Sequence, residues 1–106
     1  MQVLHYLDFR GHDVYQDWLD RMRDITGRVA IQRRIDRIAD TDNIGNCSFC
    51  NDGIWELKMD VGPGYRVYYV ETKKTVLLLL CGGTKRRQGS DVARAVKYWK
   101  DYQKRS

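Results

Sequence analysis

Three consecutive cations, Lys85, Arg86 and Arg87, stand just before Gln88, Ser90 and Asp91. Ser90 is placed to cap a helix predicted over 91–104. The free N–H groups and the dipole at a helix start favour an anion, so this loop suits a phosphate. A run of solvated charge has the same sequence pattern. Gly82 and Gly83 precede the cations without forming a P-loop, because no G-x-x-x-x-G-K-[ST] occurs. A second group lies in a predicted hairpin over 54–71. There Trp55, Leu57 and Met59 alternate with Glu56, Lys58 and Asp60, the period of a strand. If Tyr65, Val67 and Tyr69 face the core, Arg66 and Tyr68 join Glu56 and Lys58 on an open face. An arginine flanked by a lysine and a tyrosine is a platform for phosphate and base. An exposed cross-strand pair of Arg66 with Glu56 explains the same residues.

These side chains need elements to hold them. Residues 3–9 read as a first strand. Asp13 followed by Gln16 is a capping-box pattern opening a helix over 13–25, with Val14, Trp18, Met22 and Ile25 on one stripe. Thr26 and Gly27 break it. A second helix over 28–40 turns Ile31, Ile35 and Ile38 inward and Arg28, Arg33, Arg34 and Arg37 outward, so the two helices form an αα-hairpin. Residues 41–53, rich in Asn, Asp and Gly, read as a loop. Strands over 54–60, 65–71 and 75–81 follow, with turns at Gly62, Pro63 and Gly64 and at Thr72, Lys73 and Lys74. The last strand is continuously apolar, so both its faces are covered. The expected architecture is one α+β domain over 1–106. Its order is βααβββα, with a four-stranded, mostly antiparallel sheet, the N-terminal strand beside 75–81, the αα-hairpin on one face and the last helix on the other. Trp18, Trp55 and Trp99 fall on inner faces, whereas Tyr68 and Tyr102 are the candidates for exposed rings.

The chain has 106 residues and a formal net charge of +5, which favours anionic partners. No apolar run reaches the roughly 18 residues of a membrane span. The opening MQVLHYLDFR lacks the basic and apolar regions of an export signal, so a cytoplasmic protein is expected. Cys47 and Cys50 form a C-x-x-C unit in the predicted loop. Neither His5 nor His12 stands at a zinc-ligand spacing from it, so a structural role with reduced thiols is the simpler reading, and no metal or cofactor is expected. No G-x-S-x-G or H-E-x-x-H motif occurs, and Glu56 and Asp60 read as strand charges.

The segments G-I-W-E-L-K…G-P-G-Y-R-V-Y-Y and L-L-L-C-G-G-T-K-R-R-Q-G-S-D-V-A-R-A, over 53–69 and 77–95, resemble the RelE/ParE superfamily of type II toxin–antitoxin toxins. The likeness is to its HigB-like, phage Gp49-like "addiction module killer" branch. The element order and size agree, and the likeness covers nearly the whole chain. It implies a ribosome-dependent mRNA endonuclease, in which the 2′-OH of the RNA attacks the adjacent phosphate without a metal. Carried over by motif, Arg66 grips the scissile phosphate. Lys58 takes the place of the arginine in E-L-R, Lys85 is the motif lysine, and Gln88 and Asp91 are the motif Gln and Asp. Arg86 and Arg87 bind neighbouring RNA. The last helix opens on Ser90, Asp91, Val92 and Ala93 without the tyrosine of RelE, and no histidine stands where HigB-type toxins have theirs. Proton transfer then falls to Lys85 or Lys58, with Glu56 as a less favoured base and Tyr68 as a candidate acid. The resemblance also implies a cognate antitoxin, acidic or bearing a helix-turn-helix, through which alone operator DNA is reached. Two other activities fit the superfamily: a ParE-type DNA gyrase poison, and an inactive homologue that serves as a co-repressor.

Overall fold

The computed structural model describes residues 1–73 and 76–105. Strand β1 (Gln2–His5) leads to helices α1 (Val14–Asp20) and α2 (Ile25–Thr41). Strands β2 (Cys47–Asn51), β3 (Ile54–Met59), β4 (Tyr65–Thr72) and β5 (Val76–Thr84) follow. A 3₁₀ turn, Lys85–Arg87, then runs into α3 (Gln88–Arg105). The protein is an α+β fold. Its sheet has five strands in the order β1-β5-β4-β3-β2, one more than expected. β1 lies parallel to β5 and the other three pairings are antiparallel, so the sheet is mixed.

The added strand is β2, which occupies part of the segment read as a loop. Asn and Gly around it suggested a turn, yet Cys47, Ser48 and Phe49 pair with Leu57, Glu56 and Trp55. Arg34 helps hold its approach. Read as an outward cation, this side chain instead turns inward and donates to the carbonyls of Ile44 (3.0 Å), Asn46 (2.7 Å) and Lys58 (3.0 Å). The Asn46 carbonyl also accepts from Lys58 N at 3.0 Å, so Arg34 adds to a backbone bond there.

Asp13 caps α1 as its spacing implies, accepting from Gln16 N at 3.0 Å. The break before α2 comes earlier than Thr26 and Gly27. Asp24 is the N-cap and accepts from Gly27 N at 3.0 Å. Gly27 therefore sits inside the first turn of α2. Its lack of a side chain admits the Tyr65 ring, because a Cβ there would lie 2.5 Å from Tyr65 Cε2. Ser90, the expected cap of the last helix, lies within α3, which starts at Gln88.

Leu77 and Leu79 of β5 join Tyr15, Leu19, Ile31, Ile35 and Ile38 on the α1/α2 side of the sheet. Leu78 and Leu80 join Tyr68, Val70, Val92 and Ala95 on the α3 side. The uniformly apolar strand is thus covered on both faces, the condition that such a sequence requires. Lys74 and Thr75, assigned to a turn and to the start of this strand, lie outside the described residues. Among the described residues, no helix is long and apolar enough to cross a membrane.

Candidate anion-binding site

Two polar rows cross the α3 face of the sheet. In the first, Lys58 of β3 is level with Arg66 of β4, and Arg66 with Gly83 of β5. In the second, Ser48, Glu56, Tyr68 and Cys81 line up across β2, β3, β4 and β5. Pleating turns every second residue to one side, so both rows share that face. Gln88, at the start of α3, donates from Nε2 to Glu56 Oε2 at 2.8 Å. Glu56 Oε1 lies 3.9 Å from Arg66 Nε, and Arg66 Nη1 donates to the Tyr65 carbonyl at 3.0 Å.

The open platform expected around Arg66 and Tyr68 is corrected by burial. Arg66 is 5% exposed, Glu56 3% and Tyr68 fully enclosed. β4 is a central strand, and α3 lies over this side of it. Alternation in sequence reveals which side a residue takes, never how deeply that side is covered. Arg66 also leans diagonally toward Glu56, whose register partner is Tyr68. Burial, with the charges of Glu56 and Asp91 adding to it, pushes the Tyr68 phenol above its ordinary range. Its proton is therefore retained, and Tyr68 is not the exposed ring that was expected.

Asp91, expected among the RNA contacts, is 3% exposed and points inward. Its carboxylate rests on the Gly83 backbone, where a Cβ would stand 1.9 Å from Oδ2. Burial raises its affinity for a proton, against the pull of Arg94 and Arg87. Arg94 Nη2 lies 3.6 Å from Asp91 Oδ1. Arg66 Nε, Tyr68 Oη and Asp91 Oδ2 are all buried and find no hydrogen-bond partner among the described residues. Such atoms are uncommon in native interiors, and Tyr15 Oη on the α1/α2 side is another.

The remaining candidates are exposed or half-exposed. Lys85, Arg86, Arg87 and Gln88 face solvent and Lys58 is half-buried. Lys85 N donates to the Gly64 carbonyl at 2.9 Å. A Cβ on Gly64 would lie 3.4 Å from Lys85 Cβ and 3.9 Å from Arg66 Nη1. The turn Gly62, Pro63 and Gly64 thereby brings together two segments some twenty residues apart in sequence. Lys85 and Arg66 share one neighbour, and the exposed Arg86 and Arg87 follow Lys85 in the 3₁₀ turn. Sequence reasoning passed over the part played by Gly83. The signal was present in the doubled glycine: Gly82 admits Trp18 on one face (2.3 Å from a Cβ to Cζ3) and Gly83 admits Asp91 on the other.

Cys47 packs against the α1/α2 side of the sheet and Cys50 against the α3 side. The sheet itself separates the two sulfurs of the C-x-x-C unit. A groove of about 680 Å³ lies beside the basic turn, lined by Trp18, Met22, Tyr65, Thr84, Arg94 and Tyr98 among others.

An uncharacterized protein of Haemophilus influenzae is 37% identical to this chain over 81 residues, which are 76% of this chain and 81% of the relative. The chain belongs to the family of that protein. No family model matches it. The description of the relative states no activity.

Proposed function

We propose that this chain is a type II toxin of the RelE/ParE superfamily, in its HigB-like branch. On this reading it inhibits translation by cutting mRNA on the ribosome. The carrying observation is the meeting of Lys85 and Arg66 at Gly64, beside the exposed pair Arg86 and Arg87. Lys85 and Arg66 flank Gly64 where the two family-like segments meet, and the exposed Arg86 and Arg87 follow directly in the chain. Preorganised positive charge stabilises a phosphate as it gains charge, which suits attack by a neighbouring 2′-OH. Lys85, Arg86 and Arg87 would hold the RNA backbone. As the 2′-oxygen bonds to phosphorus, the bond to the 5′-oxygen of the next nucleotide breaks, and Lys58, half-buried in the Arg66 row, would pass a proton to that leaving oxygen while the 2′-OH proton goes to solvent. Arg66 would meet the scissile phosphate from below. An antitoxin that is acidic, or that bears a helix-turn-helix, would cover this basic face and neutralise the toxin in the cytoplasm.

The enclosure of Tyr68 and the carboxylate beside Arg66 favour a second reading, a ParE-type gyrase poison that binds without cutting. Expression of the chain in a bacterium separates the two. Rapid loss of amino-acid incorporation without a DNA-damage response supports the mRNA endonuclease. A DNA-damage response with continuing protein synthesis supports the gyrase poison. Growth unaffected by free protein points to an inactive homologue that serves as a co-repressor.

A further inference from the structure

The face that carries Arg66 contains its own anion. Glu56 is a strand residue that would ordinarily point to solvent, yet it is 3% exposed and stands against an arginine that is 5% exposed. The contact is poor as ion pairs go. Oε1 is 3.9 Å from Nε, and Nε has no hydrogen-bond partner among the described residues. A buried arginine and carboxylate that mutually satisfied one another would sit closer and pair two nitrogens with two oxygens. Glu56 is instead held from other sides, by the neighbouring Cys50 thiol and by Gln88. Gln88 Nε2 binds Oε2 at 2.8 Å, and Gln88 itself is an exposed residue at the point where the basic turn becomes α3.

We infer that Gln88 and Glu56 form a latch, with Glu56 occupying the place of a phosphate against Arg66 until an incoming phosphate group displaces it. The latch regulates the site described above and rests on the reading that this face binds RNA phosphate. An RNA backbone engaging Arg86 and Arg87 meets Gln88 next. Release of Gln88 frees Glu56 to swing toward solvent, and Arg66 then pairs with the phosphate. The carboxylate keeps Arg66 from other anions in the resting protein, so affinity measured off the ribosome is lowered by the work of opening.

The test uses the full chain, a fluorescent single-stranded ribo-oligonucleotide followed by anisotropy at fixed salt, and melting in inorganic phosphate against chloride at equal ionic strength. Glu56→Gln keeps the shape and removes the charge. Gln88→Ala removes the clasp from an exposed position. Glu71→Gln, at an exposed site elsewhere on β4, makes the same charge change and serves as control. Both latch variants should bind the oligonucleotide at least about fivefold more tightly, the lower end of ordinary coupling between linked equilibria. Glu71→Gln should not, and adding Arg66→Gln to Glu56→Gln should remove the gain. Phosphate should raise the melting temperature of Glu56→Gln more than that of wild type.

The latch is overturned if wild type binds RNA and Glu56→Gln binds no more tightly, or if Glu71→Gln gains as much; RNA binding by the basic turn then stands alone. Weaker binding by Gln88→Ala would make Gln88 an RNA contact and also overturn the latch. If Glu56→Gln does not fold, Gln88→Ala decides by itself. If no variant binds RNA while phosphate still protects Glu56→Gln preferentially, the latch stands and the RNA reading falls. Loss of both responses removes both.

Discussion

Asp91 rests on the backbone of Gly83, with no room for a Cβ between them. On the opposite face of the same strand, Trp18 leaves no room for a Cβ on Gly82 either, with Cζ3 2.3 Å from where it would stand. Gly83→Ala and Gly82→Ala should each overfill a packed interface and destabilise the fold by about 1–3 kcal/mol. Urea unfolding followed by far-ultraviolet circular dichroism measures this. A change within error at either position would mean that the contact is easily relaxed.

Tyr68→Phe should leave stability unchanged or raise it by up to about 1 kcal/mol, because it removes a buried hydroxyl that has no partner among the described residues. It should also leave growth inhibition intact. A proton donor in the reaction would cost roughly a hundredfold or more in rate. Chemical denaturation and a toxicity titration with an inducible promoter check the two halves.

Tyr65 Oη donates to Asp24 Oδ2 at 2.7 Å, and this one bond acts on stability at both ends of the pH scale. Burial and the Asp24 carboxylate push the Tyr65 phenol up to about 12 from an ordinary 10.0. Its contribution is complete below about pH 10 and is lost as pH rises through 12. The Tyr65 hydroxyl and the Gly27 amide hold the Asp24 carboxyl below its ordinary 3.8. That contribution is complete above about pH 4 and is lost as pH falls through the native value. Tyr65→Phe should flatten both limbs of a melting-temperature profile.

Cys81 is fully buried, and burial pushes its thiol up to about 12. Cys50 is pushed up to about 11, by burial first and then by Glu56. At neutral pH Cys81 should resist a thiol reagent until the protein unfolds, and Cys50 should react slowly. Cys47 and Cys50 should form no intramolecular disulfide under oxidising conditions while the sheet is intact. Peptide mapping after timed alkylation reports each thiol separately.

Much of the fold was legible from period and capping. Asp13 with Gln16, the alternation over 54–60 and the unbroken apolar run into Cys81 led to α1, β3 and a doubly covered β5. β2 was hidden because Cys47, Ser48, Phe49 and Cys50 show no alternation and sit among turn formers. The start of α2 was misplaced because Gly27 resembled a breaker, when its small size serves the Tyr65 ring. Trp55, expected in the core, is 39% exposed beside β2 and meets Phe49 edge-on at 5.4 Å. Pattern fixed its side of the sheet but could not show that the sheet edge is open there. For the site, residue types were readable and depth was not. Arg66 and Tyr68 lie on the expected side, yet α3 covers them, and only three dimensions show Glu56 between Arg66 and Gln88. A loss of function in Arg66→Ala therefore has to be read beside a stability measurement, since the side chain lies in the packed interior.

The most direct measurement is a bacterial translation extract supplied with this protein, its reporter mRNA mapped by primer extension. A variant carrying Lys85→Ala, Arg86→Ala and Arg87→Ala runs beside it, because these exposed side chains can be removed without opening the core. New 5′ ends that require ribosomes, are absent on naked mRNA and vanish in the folded triple variant are the expected result. Intact mRNA with undiminished translation would contradict an RNA-cutting toxin.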